Sequence, residues 1–405
     1  MNPTTTTAAS HIEAAIPAAP KTANSVVVGL SGGVDSAVAA LLLKRAGYRV
    51  IGLFMKNWEE DDGTEYCTAL TDLEDAQQVA TTLDIELRTA NFAAEYWDNV
   101  FEDFLAEYAA GRTPNPDIAC NREIKFRYFA DYASTLGADF IATGHYARIA
   151  QGSSGPVLSM AADANKDQTY FLQAVSAAQL RNVLFPLGQL TKQVVRQLAA
   201  SEGLANHAKK DSTGICFIGE RRFADFLQRY LPRRAGRIVD SEGRTIGTHQ
   251  GAHTFTVGQR QGLQLGGIAG RSEAPWYVLA KHLPSNTVVA TQDPCALNAR
   301  WLAATPVNWL DALAPALPLR CVARIRHRQA PQSCTVSGAA DGSITVRFDA
   351  PQRAINPGQY VALYEPASPT DAPQRCLGGA KIVRCEQPLL PNFAAWGIDH
   401  EATNA

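Results

Sequence analysis

Between Ser25 and Leu30 the chain reads S-V-V-V-G-L, an apolar β-branched run that suits a strand buried on both faces. A helical stretch, Ala37 to Arg45, follows two glycines and stops at Gly47, and Arg49 to Met55 forms a second apolar run. These segments make one βαβ unit, which is right-handed by rule. The alternation continues with an amphipathic helix over Leu70 to Leu83, a strand over Ile85 to Ala90, and helices over Ala93 to Ala110 and Asn121 to Leu136. A strand over Asp139 to Ala142 then ends at Thr143-Gly144-His145. The pattern predicts a doubly wound parallel-sheet α/β domain, which takes ligands at the carboxyl ends of its strands.

Near Lys210 the pattern changes. Arg222 to Tyr230 can make one more helix, and after Pro232 short β segments alternate with turns. The predicted strands are Gly236 to Val239, Gly247 to Gly251, Thr254 to Val257, Trp276 to Leu279 and Thr287 to Ala290. Further strands are Leu319 to Ile325, Ser333 to Val336, Ser343 to Phe348 and Tyr360 to Tyr364, whose regular spacing suggests a barrel. The division expected is a disordered tail over 1–24, a catalytic domain over 25–220, a small central domain over 221–298 and a C-terminal β-barrel over 299–390.

Composition narrows this little. The 405 residues are 46% hydrophobic, enough for sizeable cores, and the formal net charge is only -2, so any nucleic-acid surface must be local. No apolar run has the roughly 18 residues of a membrane helix, and the tail has neither secretory nor transit character. None of the eight cysteines forms C-x-x-C. A cytoplasmic protein with mostly free thiols is expected.

Candidate chemistry begins at Gly29-Leu30-Ser31-Gly32-Gly33-Val34-Asp35-Ser36. The glycines permit a tight turn, and the helix that starts there aims free N–H groups and a dipole at an anion. No lysine follows Gly33, so this is not a Walker A loop. The Ser31 and Ser36 hydroxyls can donate to phosphate, and Asp35 beside a phosphate suggests an intervening magnesium ion. Cys120 follows Gly111-Arg112-Thr113-Pro114-Asn115-Pro116-Asp117-Ile118-Ala119, near an expected helix start and Arg122. It reads either as a stabilised thiolate, with Asp117 available for proton transfer, or as a structural thiol behind a proline turn. Cys216, in Asp211-Ser212-Thr213-Gly214-Ile215-Cys216-Phe217, has two nearby lysines but also core-like neighbours. Two such thiols brought together would permit persulfide transfer. Arg324, Arg326 and Arg328 would share one face if Arg320 to Arg328 were a strand. A second basic cluster is Arg229, Arg233, Arg234 and Arg237.

Taken together, the phosphate loop, Gly52 to Trp58, Thr113 to Cys120, Ala142 to Tyr146, Lys166 to Leu172, Asp211 to Gly219 and Thr256 to Arg260 resemble the bacterial tRNA-specific 2-thiouridylases. These enzymes belong to the PP-loop ATP pyrophosphatases. The resemblance runs from about Ser25 to about Cys385. It implies a PP-loop domain, a small central domain and a C-terminal β-barrel. It places ATP, with Mg2+, at Gly29 to Ser36, Met55 and Gly144. It gives the target base to Asn115, Pro116 and Asp117, and tRNA contacts to His145, Lys166, Asp167, Gln168, Arg326, His327 and Gln359. Cys216 is implied as the persulfide carrier and Cys120 as its catalytic partner, joined after transfer in a disulfide. The implied partners are tRNA, at the wobble uridine, and a sulfur-donor protein, with no membrane. Three readings compete: another PP-loop enzyme such as an amide-forming ligase, a non-catalytic RNA-binding protein, and a thiolase with an iron–sulfur cluster on Asp117, Cys120 and Cys216.

Overall fold

The computed structural model describes residues 18–20, 24–59, 69–153, 155–211, 226–266, 272–367 and 373–386. Cys216, Cys67, the start of the tail and the first four residues of the helix expected over Arg222 to Tyr230 lie outside these residues. Of the tail, the piece at 18–20 is docked rather than free, since the Ala19 N–H donates to the Ala46 carbonyl at 3.1 Å.

Five parallel strands form the first sheet in the order β3-β2-β1-β4-β7, with β1 at Ser25–Gly29, β2 at Arg49–Lys56, β3 at Glu86–Asn91, β4 at Phe140–Ala142 and β7 at Val183–Leu184. Chain order reverses at β1 and β4, and the glycine loop leaves β1 at that switch point. β1 is central and its Val26, Val27 and Val28 are fully buried, which is why this strand reads as an unbroken apolar run. The helix Val34–Arg45 packs on one face through Ala37, Val38, Leu41 and Leu42, and the helices after β3 cover the other. A hairpin of β5 (Arg148–Gly152) and β6 (Gly155–Ser159) stands apart from the sheet.

A second sheet has the order β10-β11-β8-β9, where β8 is Gly236–Val239, β9 Thr245–His249, β10 Tyr277–His282 and β11 Thr287–Thr291. Thr254 to Val257 is not a strand. A short 3-10 turn, Ala252–Thr254, occupies its start, between Gly251 and Gly258, and Gly258 has φ +84. The third unit is a closed barrel in the order β12-β15-β14-β13-β16-β17. Its strands are β12 (Asn298–Trp309), β13 (Leu319–Arg324), β14 (Gln332–Gly338), β15 (Ile344–Arg353), β16 (Tyr360–Tyr364) and β17 (Cys376–Cys385). The barrel packs directly on the first domain, because Tyr360, Ala362, Tyr364 and Cys376 join the same core as Ile118, Cys120 and Phe126.

Two segments depart from their local sequence preference for physical reasons. Thr169–Leu172 is a helical turn, not a strand. Burial of Tyr170, with its hydroxyl near the Tyr360 carbonyl at 3.1 Å and the Ile325 carbonyl at 3.3 Å, overrides the β preference of T-Y-F-L. Strand β13 stops at Arg324, whose side chain points inward, so Arg324, Arg326 and Arg328 share no face.

Candidate active site

The phosphate loop connects β1 to the helix Val34–Arg45. Its N-cap is Gly33, with no side-chain cap, so nothing from the side chains competes for the first-turn N–H groups. Gly32 sits at φ +72, and a Cβ there would meet the Asp72 carbonyl oxygen at 2.4 Å, so only glycine fits. Ser36 is buried and its hydroxyl donates to the Gly33 carbonyl at 3.0 Å while accepting the Ser31 N–H at 3.2 Å. That hydroxyl therefore shapes the loop, where the sequence suggested a phosphate donor. Ser31 keeps an exposed side chain, 3.3 Å from Ser36 Oγ. Leu30 and Val34 are buried, so either can meet a nucleotide only through its backbone. The Met55 methyl lies 3.4 Å from where a Gly29 Cβ would stand, over the end of β1. Gly144, just past the end of β4, lies so close to the loop that a Cβ would come 2.8 Å from the Asp35 carbonyl carbon and the Ser36 nitrogen.

Asp35 is not a bare carboxylate. Lys192 donates to both its oxygens, at 2.7 and 2.8 Å, and the Tyr146 hydroxyl donates to one at 2.8 Å. Lys192 also reaches Asp211 at 2.7 Å, and Lys166 and Arg196 pair with the same residue. Burial alone would raise the Asp211 pKa, but its hydrogen bonds and charge contacts with Lys166 and Lys192 hold it down at about 2. Asp211 is the last described residue before the stretch that carries Cys216. Behind the loop, Asn206 donates to the Gly32 carbonyl at 3.0 Å, and Lys209 sits between Asp72 at 2.8 Å and Asp75 at 2.5 Å.

The helix expected to begin at Asn121 begins earlier. Asn115 is its N-cap, accepting the Ile118 N–H at 3.4 Å, and Pro116 is its first residue. Pro116–Cys120 then runs on without a break through a π-helical stretch, Asn121–Tyr128, to Thr135. Cys120 therefore ends the first turn rather than preceding the helix, and it is fully buried beside Ile118 and Ile124. Arg122, expected beside the thiol, donates instead to Glu123 at 2.6 Å. Asp117 is half-buried in the first turn. Phe129 of the same helix closes on the Gly29 end of β1, which brings the cysteine helix to the carboxyl edge of the sheet.

The loop before Cys120 is gripped from the barrel. Gln359 donates to the carbonyls of Thr113 at 2.9 Å and Pro114 at 3.1 Å, and its Oε1 accepts from Asn115 at 3.4 Å. The Thr113 N–H donates to the Pro357 carbonyl at 2.9 Å. Gly358, at φ +91, approaches so closely that a Cβ would lie 2.9 Å from the Thr113 nitrogen. Thr256 of the central unit meets the Thr113 hydroxyl at 3.2 Å.

Several residues expected to touch RNA are engaged inside the protein. Asp167 is 1% exposed, and its carboxylate accepts from the Ala161 N–H at 3.0 Å, Thr169 Oγ1 at 2.8 Å and Arg324 at 2.7 Å. Gln168 brackets Tyr146, accepting its N–H at 2.9 Å through Oε1 and donating its own N–H to the Tyr146 carbonyl at 2.8 Å. His145 is buried between Phe126 and Phe185, with Nδ1 2.8 Å from Thr143 Oγ1, and burial pushes its pKa well down, so it is neutral near pH 7. These side chains, with Gln359, build and brace the surface rather than reach out from it. Arg326 is exposed, while the half-buried His327 bonds the Asp167 carbonyl at 2.8 Å.

Three family models match along the chain: a tRNA methyl transferase HUP domain over 24–220, a tRNA methyl transferase PRC-barrel domain over 224–292, and an aminomethyltransferase β-barrel domain over 299–382. The tRNA-specific 2-thiouridylase MnmA of Alcanivorax borkumensis is 58% identical over 359 residues, covering 88% of this chain and 96% of that protein. The protein of the same name from Marinobacter nauticus is 55% identical, covering 93% of this chain and 95% of its own. The chain belongs to the tRNA-specific 2-thiouridylases. The parallel-sheet PP-loop domain and the closed barrel are those the motifs led one to expect, and the PP-loop family's use of ATP fits the loop geometry.

In this thiouridylase the sequence reading missed the residues that support the phosphate loop: Tyr146, Lys192, Asn206, Lys209 and Asp72. Lys192 lies 157 positions from Asp35, so no local motif could join them. Among the described residues no group of three or more His, Cys, Asp or Glu could hold a metal by itself. Lys192 already neutralises the Asp35 carboxylate, so a magnesium ion there would compete with its ammonium. No helix among the described residues is long and apolar enough to cross a membrane.

Proposed function

We propose that this chain is a tRNA uridine 2-sulfurtransferase, converting the wobble uridine of tRNA to 2-thiouridine at the expense of ATP. The observation that carries the reading is an intact phosphate loop, uncapped and with the Lys192 ammonium beside it, in a chain 58% identical to a 2-thiouridylase. The first-turn N–H groups and the loop backbone would hold the phosphates of ATP, with Met55 against the adenine. Magnesium arriving with the nucleotide would supply charge neutralisation at the phosphates, and Lys192 is placed to share that task once it leaves Asp35.

A wobble uridine lies in a single-stranded loop and can be splayed out at modest cost. The segment Asn115-Pro116-Asp117 would receive it. The uridine O2 attacks the α-phosphorus and pyrophosphate leaves, which turns O2 into a good leaving group. Cys216, charged as a persulfide by a donor protein, then delivers its terminal sulfur to C2 and AMP departs. Cys120 attacks the inner sulfur of Cys216, so the products are thiouridine, AMP and a Cys120–Cys216 disulfide that a thiol reductant must open. Asp117 would handle the proton lost from the base. Cys120 is buried, so its thiol must be uncovered before that attack. A cytoplasmic location accords with free thiols and a tRNA substrate.

Release of AMP from ATP tests this reading. It should require tRNA bearing an unmodified wobble uridine. AMP release with a small-molecule acceptor and no tRNA would instead support an amide-type ligase. Stoichiometric iron in anaerobically purified active protein would support the cluster-dependent route.

A further inference from the structure

Several arginines of the two β units are matched by carboxylates. Arg320 pairs with Asp349, Arg375 with Asp311, and Arg244 with Asp240 and Glu242. Arg326 and Arg353 differ. Both are exposed, and among the described residues neither has a carboxylate within ion-pair distance. They are nevertheless locked together, because the Arg326 guanidinium donates to the carbonyls of Arg353 and Ala354, each at 2.7 Å. The surrounding protein desolvates Arg326, and with the charge of Arg353 this pushes its pKa below the ordinary arginine value. The Arg353 guanidinium lies 4.8 Å from the centroid of the Tyr277 ring, which comes from the central sheet. Two fixed cations side by side without an anion are an unfavourable arrangement in the free protein. An arriving polyanion would relieve it.

The position of the pair says which polyanion. Arg353 ends β15, and the chain then passes through Ala354, which touches Gly258, and Asn356, which bonds both the N–H and the carbonyl of Val257. It next reaches Gln359 and the clamp on Thr113 and Pro114. Six residues span at most about 20 Å. That is the reach of a few nucleotides on either side of a base held at Asn115 to Asp117. We propose that Arg353, together with Arg326 and braced by Tyr277, forms a docking surface for RNA backbone phosphates flanking the target base. This rests on the tRNA reading above and adds to it a second arginine, an aromatic brace from the central sheet, and the chemistry recognised, which is phosphate and not base edges. Phosphate contacts of this kind set register along the strand and leave sequence choice to the base segment.

The test is the salt dependence of binding to an unmodified tRNA transcript by fluorescence anisotropy, between about 50 and 200 mM salt. Arg353→Ala and Arg353→Gln should each weaken binding several-fold and flatten the plot of log K against log salt by about 0.7 to 0.9, the loss of one phosphate contact. Arg320→Ala, whose charge Asp349 already matches, should leave slope and affinity as they are. Unchanged affinity and slope in both Arg353 variants would overturn the proposal. So would weaker binding with an unchanged slope, which would make Arg353 a structural residue. If the wild-type chain bound no tRNA at any salt, the failure would lie with the tRNA reading itself.

Discussion

Lys192 holds both oxygens of Asp35 and one of Asp211, so a single ammonium joins the phosphate loop to the root of the Cys216 stretch. Lys192→Ala removes that charge from beside the nucleotide site and should cut tRNA-dependent AMP release by about 100-fold, the usual scale for losing one preorganised donor. The same variant should move the Asp211 titration. In the folded protein Asp211 sits at about 2, below its unfolded value near 4. Its stabilising share is therefore complete above pH 4 and fades as pH falls toward 2. Carboxyl NMR should show the Asp211 midpoint near 2 in the wild type and closer to 4 without Lys192. Thiols offer a second check at this scale. Cys295 is exposed whereas Cys120 is fully buried, so brief alkylation of the free protein followed by peptide mass spectrometry should label Cys295 and spare Cys120.

Elements that bury an unbroken apolar face were legible in the sequence, as Val26 to Val28 of β1 and Tyr360 to Tyr364 of β16 demonstrate. Elements decided by distant partners were not. Thr169–Leu172 reads as a strand, but Tyr170 is captured by carbonyls of the barrel, and the segment is a helical turn. Strand β12 pairs on both edges, with β15 and β17, to close the barrel, a long-range match that no local pattern announces. The site divides in the same way. The glycine loop and the Asn115–Cys120 run could be read locally, whereas the Gln359 clamp acts across more than 240 positions of sequence. Gln359→Ala frees both the Thr113 and Pro114 carbonyls. It should lower kcat for thiolation by about 10- to 100-fold, because small misplacements at a reacting centre are costly, while the tRNA dissociation constant changes little.

At the scale of the molecule, the turn Lys166-Asp167-Gln168 joins the parts. Lys166 meets Asp211, Asp167 meets Arg324 of the barrel, and Gln168 brackets Tyr146, whose hydroxyl is on Asp35. The Asp167–Arg324 pair is almost wholly buried, with Arg324 5.3 Å from the Tyr364 ring centroid. Asp167→Ala strands a buried guanidinium and should destabilise the protein by about 3–5 kcal/mol in denaturant unfolding. The central claim is that ATP use at the phosphate loop serves sulfur transfer to a wobble uridine. It is tested most directly by incubating the protein with ATP, magnesium, unmodified tRNA and a persulfide donor, then analysing the digested nucleosides by mass spectrometry. The account predicts 2-thiouridine with the wild-type chain and none with Cys216→Ser, which should still release AMP; full thiolation by Cys216→Ser, or no thiouridine from the wild type, would contradict it.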